Sequence, residues 1–360
     1  MSPLRRALLL VALAARPAAA AATEAPAEDP VRRGRRLAFP RDHGAHPGTR
    51  TEWWYATGWL GTEEQPGAGF QLTFFRSRTG LAEASRSRFA ARQLLFAHAA
   101  LTQLAPTGAA HLHDQRIVRW SGRGESAAGH ARVEDGLVRI GNWQLQRQEG
   151  RWSARIPARG FTLELELRGT QPLLLQGDGG FSRKGPEESQ ASHYYSEAQL
   201  AATSGDGRVG RAWLDHEWSD QILHPQAVGW DWIGINLFDG SALTAFVLRR
   251  RDGSALWAGG SWRATGAPAR SFAPDEVRFS AGRTWQSPGS GARYPVSWQV
   301  ATPNGKFEVR ALLDAQELDS RGSTGTIYWE GLSELLDGQG RRVGLGYLEM
   351  TGYAAPLRLG

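Results

Sequence analysis

FTLELEL, residues 161–167, puts Phe161, Leu163, Leu165 and Leu167 on one face of an extended chain and Glu164 and Glu166 on the other. Alternation with a period of two marks a strand with one dry and one wet face, the habit of antiparallel sheets. The same grammar extends in both directions. GINLFDGSALTAFVLRR (234–250) reads as a hairpin, with Asp239-Gly240 at the turn where a positive backbone φ is wanted. YWEGLSELLDGQGRRVGLGYLEMTGY (328–353) repeats the plan near the C-terminus. From Leu37 onward the chain is short strands divided by Gly, Asp and Pro, with little helical periodicity. Counting such runs gives roughly 18 strands, too many for one small barrel and enough for two.

An internal echo supports two units. Asp42-His43, His46-Pro47 and Trp53-Trp54-Tyr55 lead into a strand ending at Leu60; Asp215-His216, His224-Pro225 and Trp230-Asp231-Trp232 lead into one ending at Leu237. A second apolar run follows each, Phe70 to Phe75 and Leu243 to Leu248.

The first residues read as an export signal: Arg5-Arg6, an apolar run from Ala7 to Ala15, and an alanine tract from Ala18 to Ala22 suited to cleavage. The apolar run is too short for a permanent membrane span, so no transmembrane anchor is expected after its removal. The expected location is the periplasm or outside, by Sec or Tat export. Losing Arg5, Arg6 and Arg16 takes the formal charge from +6 to +3. The remaining arginines form no basic stripe, which excludes nucleic acid as the expected partner. With no cysteine among 360 residues, disulfides, iron–sulfur clusters, thiol nucleophiles and a lipoprotein anchor are excluded.

Familiar catalytic motifs are missing. There is no Gly-x-Ser-x-Gly elbow, phosphate loop, dinucleotide fingerprint or His-Glu-x-x-His; His216-Glu217 is followed by Asp220 where a zinc helix needs histidine. No cofactor is expected. Core or loop histidines explain His43, His46, His111 and His113 more plainly than a metal site does.

Chemistry is best sought in Asp215-His216-Glu217-Trp218 and Gly229-Trp230-Asp231-Trp232. Asp231 shares a strand face with Ile233, Ile235 and Leu237, where desolvation raises a carboxyl's pKa and makes it a usable general acid. The plainer alternative is a strand entry in which Asp231 accepts backbone N–H bonds and the Trp rings fill a barrel end. Near the expected domain junction, Gly177, Gly179 and Gly180 permit close backbone approach to a ligand or to the other domain, and Tyr194 and Tyr195 offer hydroxyl donors to a pocket; packing between domains is the plainer explanation.

Long ordered stretches carry a resemblance: FPRDHGAHPGTRTEWWYATG, GFQLTFFR, LLQGDGGFSRKGP, DHEWSDQ, GWDWIGI and GYLEMTGY. Across 37–353 the chain resembles the AttH/carotenoid 1,2-hydratase-like family, often labelled secreted hydrolases. The resemblance implies an all-β protein of two tandem lipocalin-like (calycin) antiparallel β-barrel domains packed together. It also implies cofactor-independent hydration of an isoprenoid double bond, by protonation to a tertiary carbocation and capture by water. Asp231 or Asp215 then donates the proton, His216 orients it or activates water, and Trp218, Trp230 and Trp232 shield the cation. The expected partner is an apolar polyene, isoprenoid or lipid. The alternatives are a non-enzymatic lipid carrier serving an ABC-type membrane export system and, more weakly, a hydrolase. Expected boundaries are a signal peptide at 1–22, a tail at 23–36, and barrels at 37–190 and 191–355.

Overall fold

Alternating burial survives intact in the computed structural model: along Phe161–Arg168 every second residue is buried and every other one exposed. The structure describes residues 30–87, 89–105, 108–221 and 223–357; the expected signal peptide lies outside them. One 3-10 turn, Arg41–His43, is the only helical element among the described residues, and no helix there is long and apolar enough to cross a membrane. Twenty-five strands are present among these residues. The excess over the expected number lies in strands of two to four residues, such as Leu174–Leu175 and Phe181–Arg183, too short to leave a periodic signal.

All pairings are antiparallel. The first sheet runs Ala110–Trp120, Gln93–Gln103, Pro66–Arg78, Thr51–Gly61, Val209–Ser219, Ala191–Ser204, Phe161–Arg168, Arg151–Ala158, Trp143–Gln148, Val138–Ile140 and Gly129–Ala131. Its two edges return toward each other, with Gly129 against Val118, so the barrel is nearly closed. Its interior holds Trp54, Phe70, Phe74, Trp143 and Trp152. The second sheet is centred on Gly229–Leu237, Arg342–Met350 and Thr326–Leu336, and encloses Ile233, Ile235, Trp298, Trp329 and Leu348. A third apolar layer, including Trp59, Trp213, Trp232, Phe246, Leu332 and Tyr347, lies between the two barrels.

Two expected boundaries shift. Ala191–Ser204 and Val209–Ser219 are hydrogen-bonded into the first sheet, beside Thr51–Gly61, so sheet membership changes between Ser219 and Gly229 rather than at 190/191. Closing the first barrel needs these two late strands, a long-range pairing that local pattern does not reveal. Nor are residues 30–36 a free tail: Val31 N–H donates to Asp220, and Arg33 bridges Asp178 and Glu188 at 2.7 and 2.8 Å.

The echo holds in orientation. Trp54 and Asp231 both point into their own barrels, while Tyr55 and Trp232 meet between them, rings 5.4 Å apart. It fails upstream, because Asp42-His43 forms the 3-10 turn whereas Asp215-His216 lies within a strand.

The seam between early and late strands demands glycine at 210. It pairs with Leu60, and a Cβ there would stand 1.8 Å from Trp59 O, a backbone atom that cannot swing away. Gly210→Ala should therefore cost about 1–3 kcal/mol, the usual penalty for overpacking. Urea unfolding midpoints would check this, and an unchanged midpoint would count against the seam geometry.

Candidate functional site

Strand alternation sends the residues singled out in the sequence to three different places. His216, Trp218 and Tyr195 face the interior of the first barrel. Asp215, Tyr194, Trp230 and Trp232 face the layer between barrels. Asp231 faces the interior of the second barrel. The expected convergence of Asp215, His216 and Asp231 on one strand entry does not occur, since neighbours in a strand point to opposite faces.

Inside the first barrel, Glu52 is the hub, fully buried. Its carboxylate accepts from His46 N–H at 2.9 Å, His46 Nδ1 at 2.7 Å, His216 Nε2 at 2.9 Å and Arg76 Nε at 2.8 Å. Burial pushes the Glu52 carboxyl up, but the Arg76 and His46 charges and these bonds prevail and hold it well below the usual range. Facing a carboxylate, His216 Nε2 carries the hydrogen, which leaves Nδ1 to accept from Tyr195 Oη at 3.3 Å. Tyr195 Oη lies 2.6 Å from His43 Nδ1. Burial lowers the pKa of both histidines, His43 to about 3, so these rings are neutral.

Asp42 secures the loop before the strand. It accepts from Ala38 N–H at 2.7 Å and lies 3.1 Å from His46 Nε2 and from Arg35 Nη2. Trp218, expected to shield a ligand, stacks on His46 with centroids 3.7 Å apart. His46, Glu52 and His216 place their donor atoms within 4.8 Å of one another, a spacing a metal ion could use. Arg76, however, already balances the Glu52 charge, and both imidazoles hydrogen-bond to it directly. The donor set fits a hydrogen-bonded hub better than a cation centre. The sequence alone explains His43 and His46 as core or loop histidines and does not single out Glu52; a charged residue amid EWWYATGWL is the available signal.

Asp231 lies on the apolar face expected for it, but with partners. Arg249 Nε is 2.7 Å away and Tyr353 Oη donates at 2.9 Å. Burial pushes its carboxyl up to about 6, opposed by the Arg249 charge.

Between the barrels the geometry is more open. Asp215 accepts from Tyr194 Oη at 2.7 Å, Ser196 Oγ at 2.5 Å and Trp213 Nε1 at 2.6 Å. Burial nevertheless pushes its carboxyl up to about 7, above what those three donors restore. Tyr194 stays a neutral phenol, its pKa raised by burial and by Asp215. It lines a cavity of about 300 Å³ together with Gln176, Phe181, Phe246, Trp257 and Phe272. Gln176 links the barrels, donating to Ser196 Oγ and accepting from Ser261 Oγ, both at 2.8 Å. Lys184 Nζ sits over the Tyr194 and Phe246 rings and 3.1 Å from Glu217 Oε1. Gly177 and Gly180 have positive φ, and a Cβ on Gly177 would meet Phe181 O at 2.3 Å, as expected of a loop in close approach. A larger open groove, about 650 Å³, lies along Arg278, Ser280, Gln299, Val300, Pro303 and Lys306, and none of the candidate site residues lines it.

The AttH-like family profile matches residues 30–353. A crystal structure of an AttH-like protein from Nitrosomonas europaea shares 43% identity over 90% of this chain and 99% of its own, with a TM-score of 0.79. Kievitone hydratase from Nectria haematococca matches over 89% of this chain and 93% of its own, with 12% identity and a TM-score of 0.62. That likeness extends to the fold: two lipocalin-like barrels. Among curated proteins, none matches the sequence.

Proposed function

The chain belongs to the AttH-like family, and from that membership we propose that it binds an apolar polyene, isoprenoid or lipid-like molecule between its barrels and hydrates a double bond in it by acid catalysis. The observation that carries this is Asp215, pushed up to about 7, behind a tyrosine that lines a cavity bearing the rings of Phe181, Phe246, Trp257 and Phe272 beside polar Gln176, Arg183 and Ser271. With Asp215 protonated, its hydrogen points to Tyr194 Oη and the Tyr194 hydrogen turns to the ligand. Tyr194 gives that proton to an alkene carbon as Asp215 gives its own to Tyr194. The π bond breaks, a new C–H bond forms, and the positive charge on the neighbouring carbon is captured by water. Asp215 takes back the water's proton through Tyr194, so no cofactor is consumed. His216, on the opposite face of the strand, keeps its place in the Glu52 hub and has no part in this step.

Protein purified from its native host and extracted for mass spectrometry tests the proposal. An apolar unsaturated compound recovered with its adduct heavier by one water supports hydration, and Asp215→Asn and Tyr194→Phe should each abolish conversion. Conversion unaffected by both substitutions would overturn the assignment. A carrier is the second reading, favoured by the three donors that enclose Asp215 and keep it from touching the cavity directly; it predicts a chemically unchanged lipid. Such a carrier would act after export, in company with a membrane ABC transporter.

A further inference from the structure

The face of the second sheet turned toward the first carries a carboxyl pair that neither gives nor takes the proton in the step just described. Glu330 and Glu349 stand directly opposite each other in the register of Thr326–Leu336 and Arg342–Met350. Cross-strand neighbours hold their Cβ atoms about 5 Å apart. Leu332 and Tyr347, two positions along on the same face, belong to the layer between the barrels. Trp232 is opposite Glu349 on its other side, and Trp230 follows on the same face. Glu330 is 2% exposed, whereas Glu349, Trp230 and Trp53 are half-buried. Tyr55 and Tyr328 present the hydroxyls nearest Glu330, yet buried Glu330 Oε1 and Tyr55 Oη complete no hydrogen bond of good geometry.

Charge around the pair is one-sided. Asp215 and Glu217 on Val209–Ser219, and Asp231 on Gly229–Leu237, all repel a charge on Glu349. Two of these neighbours have cations of their own, Glu217 with Lys184 and Asp231 with Arg249. Among the described residues, no basic side chain pairs with Glu330 or Glu349. Burial, then the charge on Glu349, push Glu330 well above the usual carboxylate range, and burial pushes Glu349 up to about 7. Such a pair needs a proton or a positive charge beside it. Trp230 turns its indole N–H to the Glu349 carboxyl, and both residues are half-buried, so the Glu349 side of the pair is the one open to an organic cation. Calcium and its like would want six to eight oxygens, and indoles supply none.

We infer that the Glu330–Glu349 pair is the position where an apolar ligand held between the barrels presents positive charge, either the ammonium group of an amine or the tertiary carbocation formed by protonating an alkene. The inference rests on the layer between the barrels being the ligand site, and it adds the chemical class of what that site prefers.

Titration of tryptophan fluorescence with decylamine, N,N-dimethyldecylamine and 1-decanol tests it on the intact protein. At pH 8 the amines should bind at least about tenfold more tightly than the alcohol, a full decade in affinity. The preference should shrink toward pH 5.5, because Glu349 takes up its proton as pH falls through about 7. Glu349→Gln should remove most of the preference for amine over alcohol and its pH dependence; Glu330→Gln gives a second variant should the first fold poorly. Tighter binding of the tertiary amine assigns the position to a carbocation, and tighter binding of the primary amine to an amine ligand. Equal binding of amine and alcohol would overturn the inference but leave the apolar site intact. Loss of the amine to added calcium chloride would overturn it as well. No binding of any probe would sink both the inference and the site.

Discussion

Arg76→Met should destabilise the protein by about 3–5 kcal/mol, the range for removing one partner of a buried ion pair. Arg76 is fully buried, and its guanidinium hydrogens reach Glu52 Oε2, Thr49 O, Thr49 Oγ1, Gln93 Oε1 and His46 O within 2.8 to 3.1 Å. Methionine fills similar volume but satisfies none of these acceptors, and it leaves the Glu52 carboxylate enclosed with two imidazoles. The loss would fall first on residues 46–50, which the guanidinium ties to the mouth of the barrel. Lysine should rescue only in part, since one ammonium cannot span five acceptors in a fork. Urea unfolding measures the effect. Adding Glu52→Gln to the Met variant should cost less than the sum of the two single changes, because the charge left without a partner is gone. A loss below about 1 kcal/mol would mean that the hub is already wet, against the burial described here.

The all-β class was legible because its carriers are local. FTLELEL and the Asp239-Gly240 hairpin write their period and turn into consecutive residues, and both appear in the structure as read. Barrel closure was not legible, because Thr51–Gly61 finds its partner Val209–Ser219 some 150 residues later, beyond any local pattern. The same gap hid the sites. DHEWSDQ looked like one cluster, yet alternation sends Asp215 toward the second barrel and His216 into the first, where it meets Glu52 from a distant strand. Asp231 was placed on the correct face, but Arg249 and Tyr353 arrive from other strands. Glu330 and Glu349 left only a weak trace, a charge between apolar neighbours in Trp329-Glu330-Gly331-Leu332 and Leu348-Glu349-Met350. Their pairing could be known only from the register.

Asp215→Asn should make the protein more stable at pH 8, and much less so at pH 5. The sign follows from the direction of the shift. Unfolded, Asp215 titrates near 3.8; folded, burial holds it at about 7. Between those values the folded protein keeps a proton that the unfolded chain has released, so rising pH weakens the fold, with the full loss above about 7. Three units would correspond to about 4 kcal/mol at pH 8 and roughly a third of that at pH 5. Asparagine suits the protonated geometry: its oxygen can keep the donors from Ser196 and Trp213, while its amide can donate to Tyr194 Oη. The variant is thus a permanent stand-in for the neutral acid. His43, His98 and His111, kept neutral by burial, lose stability in the opposite direction as pH falls. They are present in both proteins and cancel in the difference. The quantity to measure is the gap between variant and wild-type unfolding free energies at the two pH values, expected to widen by about 2–3 kcal/mol. A gap that stays constant would mean Asp215 is ionised throughout, held so by its three donors, and the site would then have no proton to give. A gap that widens, together with lost conversion, would show a site retained at the expense of stability, the pattern expected where a buried acid is needed for function.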